Sequence, residues 1–202
     1  MNLHVDSEVG PLRQAILHRP GVELMRLTPT NKDAYLFDDV LWVKRAKQEH
    51  DAFAEALRDQ GVVVHLLDRL LAETMEIPEA RRHVLDHTFD ERLYGPLAAD
   101  ALHNLGTSLP PDELATLLIG GITKRELLER IEEPRSVAVQ TMATDDFVVA
   151  PLPNHLFTRD TSAWVYDGVS VNAMRKRART RETVHYEAIY RWHPAFADAG
   201  FR

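Results

Sequence analysis

The chain has 202 residues, 45% of them hydrophobic and 27% charged, proportions that allow one large domain or one domain carrying an insertion. Its 31 acidic against 24 basic residues give a net charge of -7, the wrong sign for gripping a phosphate backbone, so no nucleic-acid partner is expected. No apolar run approaches the roughly 18 residues that cross a bilayer, and cysteine is absent, which excludes disulfides, thiolate metal sites and a cysteine nucleophile from these residues. The opening MNLHVDSEVG lacks the basic start and apolar stretch of a secretory signal, so a cytoplasmic protein without a membrane partner is expected.

In chain order, Leu12, Ala15, Ile16 and Leu17 form a short apolar run closed by Arg19-Pro20-Gly21, which predicts a buried strand ending near His18. Residues 27–39 (LTPTNKDAYLFDD) have little periodicity and read as a functional or connecting loop. Between Trp42 and Gln60 the apolar residues recur at helical spacing, and Gly61 stands where a left-handed C-terminal residue is wanted. In this amphipathic helix Trp42, Phe53 and Leu57 are read as a core stripe, and His50 as a buttress. The run Val62–Leu67 is β-branched and short enough for an interior strand, so the order strand, loop, helix, strand predicts an α/β fold.

From about Leu70 to Ile131 the pattern changes to leucine- and alanine-rich stretches preceded by Pro78, Pro110-Pro111 and Thr123. This predicts a helical bundle, with Thr123 and Glu126 forming a capping box in which each side chain satisfies a free backbone donor of the other. Strand signals return at Val137–Val139, Phe147–Ala150, Ser162–Tyr166 and Val169–Ala173, the last two joined by a hairpin turn at Asp167-Gly168. A final amphipathic helix is expected over Ala178–Trp192. The resulting division is 1–69 as a first α/β module, 70–135 as a helical insertion and 136–202 as following α/β structure.

The stretch Pro151–Asp160 (PLPNHLFTRD) gathers an amide, an aromatic, an arginine and a carboxylate in the connection between two strands, where rigid scaffolds carry their sites. From the residues alone a plainer reading stays open: turn chemistry at Pro153-Asn154, a core Phe157 and a solvated Arg159-Asp160 pair. The run Arg175, Lys176, Arg177, Arg179, Arg181 has the signature of a nucleic-acid patch, but overall acidity favours a solvated helix start with Glu182 as partner. His83 and His87 share the four-residue spacing of some zinc sites; without an adjoining His-Glu pattern they read as surface residues, and no metal is expected.

Six blocks together are specific: LHRPG at 17–21, LTPTN at 27–31, LFDD at 36–39, EHDAF at 49–53, PNHLFTRD at 153–160 and MRKRARTRE at 174–182. In content and order the chain resembles arginine deiminase over nearly its whole length, helical insertion included. The resemblance implies part of a five-bladed α/β propeller, or pentein fold, that converts L-arginine to L-citrulline and ammonia through a cysteine thiouronium intermediate. It implies no cofactor, L-arginine as partner and a homo-oligomer when full length. Carried over position by position, Asp160 receives the guanidinium, Phe157 packs over it, Asn154 holds substrate and Arg179 binds the α-carboxylate. His155 stands where the family has an apolar residue and receives no role. The family's catalytic cysteine, catalytic histidine and two further acidic residues match nothing in these 202 residues, so the chain alone is expected to be inactive. A related guanidine hydrolase or amidinotransferase, or a non-catalytic arginine-binding or scaffold fragment, are the alternatives.

Overall fold

The computed structural model describes residues 3–132, 134–196 and 200–201. The first strand, β1 (Gln14–Leu17), stops one residue before His18 and is half-buried along its length, not buried as expected, and the short helix α1 (Val22–Met25) follows the Arg19-Pro20-Gly21 break. The 27–39 segment contains one 3-10 turn, Lys32–Tyr35, before helix α2 (Val43–Asp59). Gly61 adopts φ 80° and reverses the chain into β2 (Val63–Leu66), which pairs in parallel with β1, Gln14 opposite Val63 and Leu17 opposite Leu66.

The stripe on α2 differs from expectation. Trp42 is 73% and Phe53 53% exposed, and Ala54 is the buried residue of the helix. The inward line runs through Val43, Ala46, His50, Ala54 and Leu57, a spacing of three and four residues that places Trp42 before the first turn and Phe53 on the flank. β2 is only half-buried, with Val63 outward, so it is not the interior strand its composition suggests.

The helical region comprises α3 (Leu67–Met75), α4 (Pro78–Thr88), α5 (Glu91–Tyr94), α6 (Pro96–Ser108) and α7 (Pro111–Gly120). Prolines occupy the first helical position of α4, α6 and α7, where the missing N–H costs nothing. After β3 (Ile122–Thr123) the helix α8 (Lys124–Leu128) starts with the expected capping box: Thr123 N donates to Glu126 Oε2 at 2.8 Å and Glu126 N to Thr123 Oγ1 at 3.3 Å.

Residues 137–141 form helix α9 (Val137–Thr141), not the strand that two valines suggest. The buried Lys124 explains the choice: its ammonium donates to Gln140 O at 2.9 Å and Met142 O at 3.3 Å, carbonyls that the open end of a helical turn leaves free and clusters together. Strand β4 (Phe147–Val149) pairs antiparallel with β3. The hairpin of β5 (Ser162–Val165) and β6 (Gly168–Val171) turns on Tyr166 and Asp167, one residue earlier than Asp167-Gly168. Tyr166 takes φ 51°, as the first residue of a tight two-residue hairpin loop requires, and its backbone bonds on both sides to Val5, N to O at 2.8 Å and O from N at 3.0 Å. Helix α10 (Thr180–Trp192) follows, and β7 (Gly200–Phe201) pairs in parallel with β6.

The fold is therefore mixed α/β, with three small sheets and ten helices among the described residues. One hydrophobic cluster runs from Leu67 through α4, α6 and α7 to Val149, Val169 and the inner face of α10, so the helical region and the strands after it share a core. A smaller cluster of Leu24, Leu27 and Phe37 lies beneath the 27–39 segment. Among the described residues no helix is long and apolar enough to cross a membrane.

Candidate active site

The connection from β4 to β5 is fixed at its entry by a close approach. Gly121, at φ 72° past the end of α7, lies against the chain at 149–151, where a Cβ would come within 2.7 Å of Pro151 N. Leu152 N donates to Ile119 O at 2.8 Å, and Pro153, with its preset φ, opens a 3-10 turn over Pro153–Leu156.

His155 anchors that turn from below, a role its sequence position does not reveal. It is buried with its Nε2 2.9 Å from His185 Nδ1 of α10, the two rings stacked at 5.1 Å and 17°. His18, also buried, packs 5.7 Å from His155 and places its Nε2 3.1 Å from Glu23 Oε1. Burial holds the His155 imidazolium well below its usual pKa, with His185, His18, Arg181 and Arg179 adding in the same direction. Burial likewise pushes His185 down to about 3, helped by Arg181 and His18. Both rings are neutral at neutral pH and behave as polar core.

On this base the four expected residues converge. The buried Asn154 donates from Nδ2 to Tyr35 O at 2.7 Å, tying the site to the turn of the 27–39 segment. Phe157 is half-exposed, its ring 6.1 Å from Phe37 and 5.9 Å from Arg179 Cζ. Asp160 has a side chain 48% exposed, and its backbone carbonyl accepts from Asn172 Nδ2 at 3.0 Å. Its carboxylate accepts from Arg179 Nη1 at 2.6 Å. The adjacent Arg159 turns away to Glu8, so the Arg159-Asp160 pair of the plainer reading does not form.

Arg179, 9% exposed, ends a 3-10 turn (Arg177–Arg179) immediately before α10. Its Nε and Nη2 donate to the Glu182 carboxylate at 2.9 to 3.1 Å, and Nη2 reaches Asn154 O at 3.4 Å. Burial pulls the Arg179 pKa down, and the hydrogen bonds to Glu182 and Asp160 more than offset it. Burial pushes the Glu182 carboxyl above its usual range, and Arg179 draws it back. Arg175, Lys176 and Arg177 are exposed, as a solvated helix start requires. Arg181 and Glu182 depart from that reading. Arg181 turns inward to Ala150 O, and burial lowers its pKa against the opposing pull of Tyr94, Tyr35 and Glu182.

The His83 and His87 rings lie 4.1 Å apart at a tilt of 37°, and His83 lies 5.0 Å from Trp192 and 3.7 Å from Glu187 Oε2 of α10, so His83 packs α4 on α10. Among the described residues no group of three or more histidines or carboxylates is arranged to hold a metal ion.

Chemically, the corner offers a half-exposed carboxylate for a planar cation, an aromatic ring beside it and a fixed guanidinium for an anion. Sequence reasoning missed Glu182 as a buried partner, the Tyr35 carbonyl and Asn172. Only Glu182 left a signal, a carboxylate three residues after an arginine at a helix start. The family profile for arginine deiminase matches residues 33–202, a span that holds α2 through α10 and all four converging residues. The chain belongs to the arginine deiminase family.

Proposed function

We propose that this chain supplies the substrate-gripping part of an arginine deiminase, with Asp160 receiving the guanidinium of free L-arginine and Arg179 its α-carboxylate. The observation that carries the reading is the meeting of these two groups, at 2.6 Å, in one accessible corner beside Phe157 and Asn154. A guanidinium held by a carboxylate has its charge fixed and its plane set, which favours attack at its central carbon. In the reaction a thiolate adds to that carbon, ammonia leaves, and water hydrolyses the resulting thiouronium to citrulline and free thiolate. The chain has no cysteine, so the nucleophile comes from outside these 202 residues, and the chain alone forms no citrulline. The wider reading is a pentein propeller in which residues 70–135 are the helical insertion, the whole acting as a cytoplasmic homo-oligomer without cofactor.

The test compares kcat/KM for L-arginine and L-argininamide in the protein encoded by its natural gene, before and after Arg179→Ala. Losing a charge-assisted bond to the carboxylate lowers the value for L-arginine roughly ten- to a hundredfold and leaves the amide nearly unchanged. An equal fall for both substrates removes the carboxylate assignment. No effect on either makes Arg179 a structural residue.

A further inference from the structure

We propose that Glu182 is a positioning residue for the substrate carboxylate: it clamps one edge of Arg179 so that Nη1 alone is left to exchange between Asp160 and ligand. This rests on the reading of Arg179 given above. Glu182 is 0% exposed, and its two oxygens take up the Nε and Nη2 donors of Arg179 from the first turn of α10. Nη1 points the other way, onto the half-exposed Asp160. The two proposed ligand-binding groups therefore bond to each other.

For an arginine to enter, Asp160 must release Nη1 and turn to the incoming guanidinium. An arginine side chain with no other restraint would follow Asp160, because its flexible stem of three methylenes costs little to reorient and the opposite charge draws it. The Glu182 clamp opposes this. Its bidentate geometry fixes both position and plane of the guanidinium, and its burial shields the pair from water. Opening then breaks one hydrogen bond, and the freed donor remains aimed where a carboxylate arrives. Tyr186, one turn further along α10, is buried close enough to feel the charges of Glu182 and Arg179, and its hydroxyl has no hydrogen-bond partner among the described residues.

The experiment uses the protein encoded by its natural gene and four forms: wild type, Arg179→Ala, Glu182→Gln and the double variant. Glu182→Gln keeps volume but removes the paired acceptor. It is expected to raise KM for L-arginine about ten- to a hundredfold, to change kcat/KM for L-argininamide less than about threefold, and to add nothing to Arg179→Ala in the double variant. Equal losses on both substrates, or additive losses in the double variant, overturn the proposal. The Arg179→Ala arm reports separately on the proposed function: if it fails to discriminate the substrates, the carboxylate assignment falls. If it discriminates and Glu182→Gln does not, the clamp alone falls. Should Glu182→Gln not fold, guanidinium NMR of the wild type decides. On adding L-citrulline, the Arg179 Nε proton stays protected from exchange while the Nη1 signals move. Loss of Nε protection on binding overturns the clamp.

Discussion

The helical region and the candidate site are built from different interactions. Between Leu67 and Leu128 the buried residues are almost all aliphatic, and Leu67, Leu71, Leu85, Leu102, Leu114, Leu118 and Leu127 are essentially closed to solvent. In the site, Asn154, His155, Arg179, Glu182 and His185 are buried polar groups joined by hydrogen bonds. Aliphatic packing is non-directional and sums over area, so it stabilises without specifying chemistry. Buried polar networks are directional and costly to leave incomplete, so they specify geometry at little net gain in stability. Function and stability are thus expected to separate by region.

Two substitutions probe that separation. Asp160→Asn in the protein encoded by its natural gene should lower turnover about a thousandfold, since the amide keeps the shape but removes the charge opposing the guanidinium. Because the Asp160 side chain is half-exposed, stability should change by less than about 1 kcal/mol. Near-normal turnover in a folded variant would make Asp160 only the surface partner of Arg179. The mirror case is Leu118→Ala in α7: removing a fully buried leucine costs about 2 to 5 kcal/mol in denaturant unfolding. A loss under about 1 kcal/mol would show the helical core to be loosely packed.

Acid should act through the buried histidines, two of which form the site's base. His155 and His185 have pKa values lowered in the folded chain, so their contribution to stability is complete above the unfolded value near 6.5 and falls as pH drops below it. Each such histidine costs about 1.4 kcal/mol per pH unit in that range. Between pH 7.5 and 5.5 the pair should remove about 2 to 3 kcal/mol, read as a shift in the urea midpoint. His155→Leu, which keeps an apolar anchor under the turn, should make the slope shallower by about half of the pair's share, while His50, His65 and His83, whose pKa values burial also lowers, keep theirs. An unchanged slope would mean that the pair titrates alike in folded and unfolded chains.

Legibility followed the same division. Proline at helix starts, the Thr123 capping box and glycine at 61 are local devices whose partners lie within four residues, so each could be read off directly. The candidate site residues are legible only through the order of short blocks, because Asp160 and Arg179 meet across 19 residues and Asn154 reaches Tyr35 across 119. The inward turn of His155 and Arg181 is hidden for a related reason. Their burial depends on what α10 and the 27–39 segment bring to them, and nothing local records it. The valines of α9 failed differently, since a buried ammonium overrode β-propensity.

The smallest effect is expected on α2, where periodicity suggested a core stripe. If Trp42 were core, truncating it would cost about 3 to 5 kcal/mol, as large aromatic deletions do. At 73% exposure it has little packing to lose, and Trp42→Ser in the 202-residue chain should cost under about 0.5 kcal/mol. Phe53→Ser, at 53% exposure on the helix flank, should cost somewhat more, because about half the ring still covers neighbouring atoms. Ala54, by contrast, is the position facing inward, and enlarging it to Leu should destabilise by about 1 to 3 kcal/mol through overpacking. Chemical denaturation of the three variants ranks them directly. The order Ala54→Leu, Phe53→Ser, Trp42→Ser places the inward line through Ala54. A dominant loss at Trp42 would instead mean that this face of α2 is covered in solution.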